Sequence, residues 1–200
     1  MNLFTETDFK DTYKWFADQG MHQQQNLTFK KQEMLVRIIE SLLSAMKALE
    51  RNDRFDMNTS RYMELEGDYM HVLGTFEDKV ANTVILCYDY AGCWRLKKTT
   101  IEKGYEEIFR ERDNGYKQSL KEVEESYNKE FSDNGHTKIL NPTAYCLSII
   151  KCLTDAYYGS FGGNDVGSAM GKISLLCAGL DIDLKWHVRE RMNYLKKQQL

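Results

Sequence analysis

The chain holds a single proline, Pro142, in 200 residues. Proline removes a helical hydrogen bond and clashes with the preceding turn, so its near absence leaves long stretches free to remain helical. The apolar residues fall at helical spacing. Leu35, Ile38, Leu42, Ala45 and Leu49 advance by three and four, which makes a seam for a partner helix. Glu33, Arg37, Glu40, Ser44 and Lys47 occupy the opposite face. No pair of segments alternates as paired strands would. The chain is predicted to be all-α.

Capping residues punctuate the pattern. Thr5 with Asp8, and Thr75 with Asp78, have the spacing of capping boxes. The first helix runs through Trp15 and Phe16 to Gly20, and 22–26 is a polar loop. A second helix spans about 28–51, followed by a loop at 52–60 and a helical stretch at 61–72. The helix begun by Thr75 carries Phe76, Val80, Val84, Cys87, Ala91 and Trp94. Residues 97–131 are charged, and Asp113-Asn114-Gly115 divides them into two arms. The second arm is striped by Leu120, Val123, Tyr127 and Phe131. Asn141-Pro142 has the form of a helix start, and that helix reaches about 158. A glycine-rich connection at 159–163 precedes a helix at about 166–178. It lacks the Gly-Lys-Ser/Thr ending of a phosphate-binding loop and reads as a tight turn. Asp183 caps a last helix with Leu184, Val188, Met192 and Leu195 on one face.

Composition narrows the function classes. The formal net charge is −3, which offers no basic face for nucleic acid. The five cysteines, Cys87, Cys93, Cys146, Cys152 and Cys177, are odd in number and include no Cys-x-x-Cys. They read as reduced thiols, without the ligand spacing of a zinc site. Residues 1–10 carry acids and no apolar core of a signal peptide. No window of about eighteen apolar residues suits a membrane span. A cytoplasmic protein that binds neither nucleic acid nor membrane is expected.

Two features suggest internal duplication. Ile38-Ile39-Glu40-Ser41-Leu42 resembles Ile149-Ile150-Lys151-Cys152-Leu153, and the helix ending Cys87 to Gly92 resembles the one ending Ser174 to Gly179. A duplicated helical hairpin would form a pseudo-dimeric four-helix core. The expected organisation is one domain over 1–200, with a first half at 1–96, a charged helical insertion at 97–140 and a second half at 141–200.

Lys14-Trp15-Phe16-Ala17-Asp18-Gln19-Gly20, the helix around IIESLLSAMKALERNDR, FEDKVANTVILCYDYAG, and the closing Gly179-Leu180-Asp181-Ile182-Asp183-Leu184 with His187, Met192, Asn193 and Tyr194 together carry a likeness. They resemble the MazG-like branch of the all-α nucleoside triphosphate pyrophosphohydrolases, over about half the chain. The resemblance implies a MazG-like helical bundle that assembles as a homo-oligomer. It also implies hydrolysis of a nucleoside triphosphate to monophosphate and pyrophosphate. Mg²⁺ would be held there by Glu-x-x-Glu on one helix and Glu-x-x-Asp on the next. Residues three apart share a helical face, and two such pairs make an oxygen cage for hard cations. In this chain the family's ligand positions fall on Leu42 and Ala45, and on Lys79 and Asn82. The corresponding positions of the second half are Leu153, Ala156, Val166 and Ala169. None is a carboxylate.

The resemblance therefore implies a catalytically degenerate member acting in binding, regulation or assembly, with no metal and no cofactor. One alternative is an active Mg²⁺-dependent pyrophosphohydrolase with relocated ligands, for which Asp78 and Asp89 are the candidates. Glu40 reads as part of a solvated face, and Asp155 has no evident partner. A nucleotide is the expected small-molecule partner. A helical protein–protein interaction module, working through the charged insertion, is the other alternative. Tyr88, Tyr90 and Trp94 could stack on a base, but an aromatic stripe at helical spacing is more often core. Lys97-Lys98 and Lys196-Lys197 read as cations at helix C-termini, where the dipole favours them.

Overall fold

The computed structural model describes residues 5–22, 27–55, 69–114, 142–158, 162–180 and 182–198. These form seven α-helices and one 3₁₀ turn, with no strand among the described residues. The helices are α1 (Glu6–Asp18), α2 (Leu27–Glu50), α3 (Phe76–Cys93), α4 (Lys98–Asn114), α5 (Pro142–Tyr158), α6 (Gly163–Gly179) and α7 (Leu184–Lys197), with the 3₁₀ turn at Tyr69–Val72. No helix among the described residues is long and apolar enough to cross a membrane.

The chain divides into two compact units. One comprises Met1–Lys98 with Leu180–Leu200, and the other Thr99–Gly179. This grouping differs from the halves read off the sequence, because α7 joins the first unit.

In the first unit α3 is the hub, with α1, α2 and α7 packed against it. Phe76, Val80, Ala81, Val84, Ile85, Cys87, Tyr88, Tyr90 and Ala91 are all buried, so α3 is covered over most of its circumference, with Lys79, Asn82, Leu86 and Cys93 half-buried along one stripe. A helix that buries so much of its circumference packs as the central helix of its unit. The seam of α2 meets it as the spacing predicted: Leu35, Ile38, Leu42 and Ala45 are buried. Helix α1 approaches so closely at Gly92 that a Cβ there would lie 2.3 Å from the Phe9 carbonyl oxygen. Helices α1, α2 and α3 stop by the same device. Gly20, Asn52 and Arg95 take φ of 73°, 58° and 49°. The N–H groups of Met21, Asp53 and Leu96 then reach back to the carbonyls of Phe16, Ala48 and Ala91.

The second unit is built around the α5–α6 pair, and α4 packs on α6 through glycine. A Cβ on Gly104 would sit 1.9 Å from the Asn164 carbonyl oxygen, and one on Gly167 would sit 2.1 Å from that of Ile101. Gly163, Gly167 and Gly171 repeat every fourth residue, which makes a smooth face for a backbone to approach.

Several boundaries differ from expectation. Helix α6 begins at Gly163 rather than near Val166, because the Gly162 carbonyl already accepts from the Val166 N–H. Helix α3 ends at Cys93, so Lys97 precedes α4 and Lys98 opens it. The Lys97-Lys98 pair is therefore not at a helix C-terminus, whereas Lys196 and Lys197 do lie in the last turn of α7. The reciprocal box expected of Thr75 and Asp78 is half-formed. Thr75 Oγ1 accepts from the Asp78 N–H, but the Asp78 carboxylate accepts from Gly74 N. At Thr5 and Asp8 both halves of the box are present. Residues 61–68, the stripe at Leu120, Val123, Tyr127 and Phe131, and Asn141 lie outside the described residues.

Gly167→Ala and Gly104→Ala are each expected to destabilise the protein by about 2–3 kcal/mol, because the added methyl meets fixed backbone. Gly74→Ala has open space but a φ of +86°, and is expected to cost about 1 kcal/mol. Urea denaturation followed by circular dichroism measures all three.

Candidate functional site

The positions expected to face each other across α2 and α3 meet at Ser41. Its hydroxyl donates to the Lys79 carbonyl at 3.2 Å and accepts from Asn82 Nδ2 at 2.9 Å. Thr83 Oγ1 lies 3.0 Å from Ser41 Oγ and 2.9 Å from the same carbonyl. These contacts use the donor and acceptor capacity of the buried hydroxyl. Leu42 and Ala45 are both 0% exposed. Asn82 is spoken for by Ser41, and Lys79 Nζ lies 3.6 Å from Asp78.

The two relocated candidates do not converge. Asp78 and Asp89 both belong to α3 but stand eleven residues apart, roughly 16 Å of helical rise. Asp78 sits at the α7 end of the interface and pairs with Arg191 Nη1 at 3.1 Å. Beside it the buried Glu77 accepts from Arg54 Nε at 2.5 Å and from the Phe55 N–H at 3.0 Å. Glu40 is exposed on α2, and Asp155 pairs with Lys151 on the surface of α5.

Asp89 belongs to a different cluster, near the C-terminal end of α3. Its Oδ1 lies 2.8 Å from His22 Nε2, and both side chains are 6% exposed. The His22 ring stacks on Tyr13 at 4.9 Å, and Lys30 Nζ lies 5.7 Å from the centroid of Tyr13. Lys30 is buried and lies beside Cys93. Arg37, paired with Glu33, stands nearby. Burial drives both members of the His22–Asp89 pair toward neutrality. The imidazole is pulled well below its ordinary value, with Lys30 and Arg37 reinforcing the shift. The Asp89 carboxyl is pushed well above its own, against the pull of the same two cations. Burial likewise raises the Cys93 thiol, with Lys30 acting in the opposite direction.

In the sequence His22 is only the first residue of a polar loop. A usable signal was Asp89 itself, an acid in the apolar run Ile85-Leu86-Cys87-Tyr88-Asp89-Tyr90-Ala91. A buried acid needs a partner from elsewhere. Tyr88 and Tyr90 are core side chains, and Trp94 is half-buried. The cysteines are free, and burial pushes Cys87 up to about 12 and Cys146 up to about 11.

Among the described residues, no three His, Cys, Asp or Glu side chains gather in a metal-holding group. No family model, curated protein or solved structure matches the chain.

Asp89→Ala is expected to cost about 1–3 kcal/mol, because the buried His22 is left without its hydrogen-bond partner. Asp89→Asn keeps an acceptor at that position and is expected to cost less. The two are compared by urea denaturation at pH 7.

Proposed function

We propose that this is a helical protein of MazG-like build that acts by binding, in regulation or assembly, and not by metal-dependent pyrophosphohydrolysis. The observation that carries the reading is the packing at the family's ligand positions. A carboxylate at Leu42 or Ala45 would point into an interface that is 0% exposed. Burying an acid there would need a cation or several donors. The helix pair α5–α6 offers a parallel. Leu153, Ala156, Val166 and Ala169, the corresponding positions in the proposed duplication, are also 0% exposed. The second pair thus uses all four positions for packing, and the first uses Leu42 and Ala45 for packing while Lys79 and Asn82 engage Asp78 and Ser41. A duplicated hairpin remains part of the proposal and rests on this correspondence together with the repeated sequence. Formation of a homo-oligomer is part of it too, read by sedimentation equilibrium.

The acidic alternatives weaken the case for relocated ligands. Asp78 is neutralised by Arg191, and Asp89 is held by His22. Both acids serve interhelical contacts.

With Mg²⁺ or Mn²⁺ and a panel of ribo- and deoxyribonucleoside triphosphates, the protein is expected to release no pyrophosphate above the protein-free rate. Isothermal titration is expected to show any nucleotide binding to be independent of the divalent ion. Turnover lost in Asp78→Asn or Asp89→Asn would instead establish an enzyme with relocated ligands.

A further inference from the structure

His187 lies on α7 and is 0% exposed, and neither of its ring nitrogens has a hydrogen-bond partner among the described residues. Phe55 meets the ring edge-on at 5.9 Å, and Trp186 does so at 4.7 Å. The titratable and charged groups around it come from every neighbouring element. Glu77 and Asp78 belong to α3, Asp183 and Arg191 to α7 and its cap, Arg54 to the segment after α2, and Tyr69 to the 3₁₀ turn.

The nearest acids are already engaged. Glu77 accepts from Arg54 and from the Phe55 N–H. Asp78 accepts from Gly74 N and pairs with Arg191, while Asp183 caps α7 through the Trp186 N–H. An imidazolium formed at this position would be enclosed with its N–H groups unpartnered, because the neighbouring acids are held by other donors. The docked helix therefore favours the neutral ring, whereas a released helix accommodates either form.

We propose that His187 is an acid-sensitive latch. Its protonation releases α7 from α3, frees Asp78 from Arg191, and uncovers Phe55 and Tyr69, the aromatic surface on which Trp186 of α7 rests.

The sign follows from linkage. Burial holds His187 down to about 4 in the docked state, with Arg54 acting in the same direction and Glu77, Asp183 and Asp78 opposing. The free imidazole has its ordinary value of 6.5. A site whose docked value is depressed loses docking strength as pH falls from 6.5 through 4. From pH 7.5 to pH 5 the two values give roughly a thirtyfold rise in the undocked fraction.

Amide hydrogen exchange at pH 7.5 and pH 5, corrected for intrinsic rates, tests the latch. Protection in α7 is expected to fall about thirtyfold in the wild type while α1 keeps its protection. His187→Phe, which fills the cage without a titrating group, and His187→Gln, a neutral polar replacement, are expected to remove that pH dependence. Unchanged α7 protection in the wild type would overturn the proposal. So would an equal loss in both variants, or equal losses in α1 and α7. Should neither variant fold, the ring resonances of His187 decide in the wild type. Proton uptake that coincides with loss of α7 protection supports the latch, and uptake with α7 still protected refutes it.

Discussion

Helix α3 is buried over most of its surface and carries three buried acids, Glu77, Asp78 and Asp89. Each needs a donor or a positive partner, and α3 supplies none for Glu77 or Asp89. Glu77 takes Arg54 from the segment after α2, Asp78 takes Arg191 from α7, and Asp89 takes His22 from the turn after α1. The three acids fix the three elements that surround them. Apolar packing alone would bring α1, α2 and α7 onto α3. The polar pairs select where along α3 each of them stops.

This arrangement has an energetic logic that apolar contact does not share. Transfer of apolar area is non-directional, so a helix sliding by one turn loses little of it. A buried charge pair such as Glu77–Arg54 or Asp78–Arg191, shifted by one turn, leaves two uncompensated groups at a cost of about 3–5 kcal/mol, and the His22–Asp89 hydrogen bond, if lost, costs about 1–3 kcal/mol. The pairs therefore add less to the depth of the native minimum than to the penalty for neighbouring registers. The second unit reaches specificity by another route. There Gly104 and Gly167 admit the opposing backbone to distances that a single methyl group would forbid. Register is set by a steric fit between α4 and α6 rather than by charge.

What the sequence made legible was local. The α2 seam, the Thr5 box, the Asp183 cap and the stop at Gly20 all depend on residues within a few positions of one another. Helical geometry converts those short separations into contacts. The cross-chain pairs were not legible for the same reason. Asp89 and His22 are 67 residues apart, and Arg54 and Glu77 are 23 apart. No periodicity selects one imidazole or guanidinium over another at such distances. The glycine repeat at 163, 167 and 171 was present in the sequence, but it reads as a connection followed by a weak helix unless the opposing backbone is known. Lys97 and Lys98 look like C-terminal cations in the sequence, but α3 stops at Cys93 through a left-handed Arg95, a residue with no intrinsic preference for that conformation.

The charge balance of α3 also bears on the proposed loss of metal chemistry. A carboxylate that is to hold Mg²⁺ has to keep its oxygens available, so the protein cannot neutralise it beforehand. In α3 the reverse holds: Asp78 has Arg191, Glu77 has Arg54, and Asp89 shares a hydrogen bond with His22. A divalent ion arriving at any of these acids would first have to displace a protein group and leave that group buried. The α2 side offers only Leu42, Ala45 and the hydroxyl of Ser41, which its neighbours already occupy. The acids of α3 are thus committed to holding neighbouring helices in place, and that commitment supports the reading of this fold as a binding scaffold.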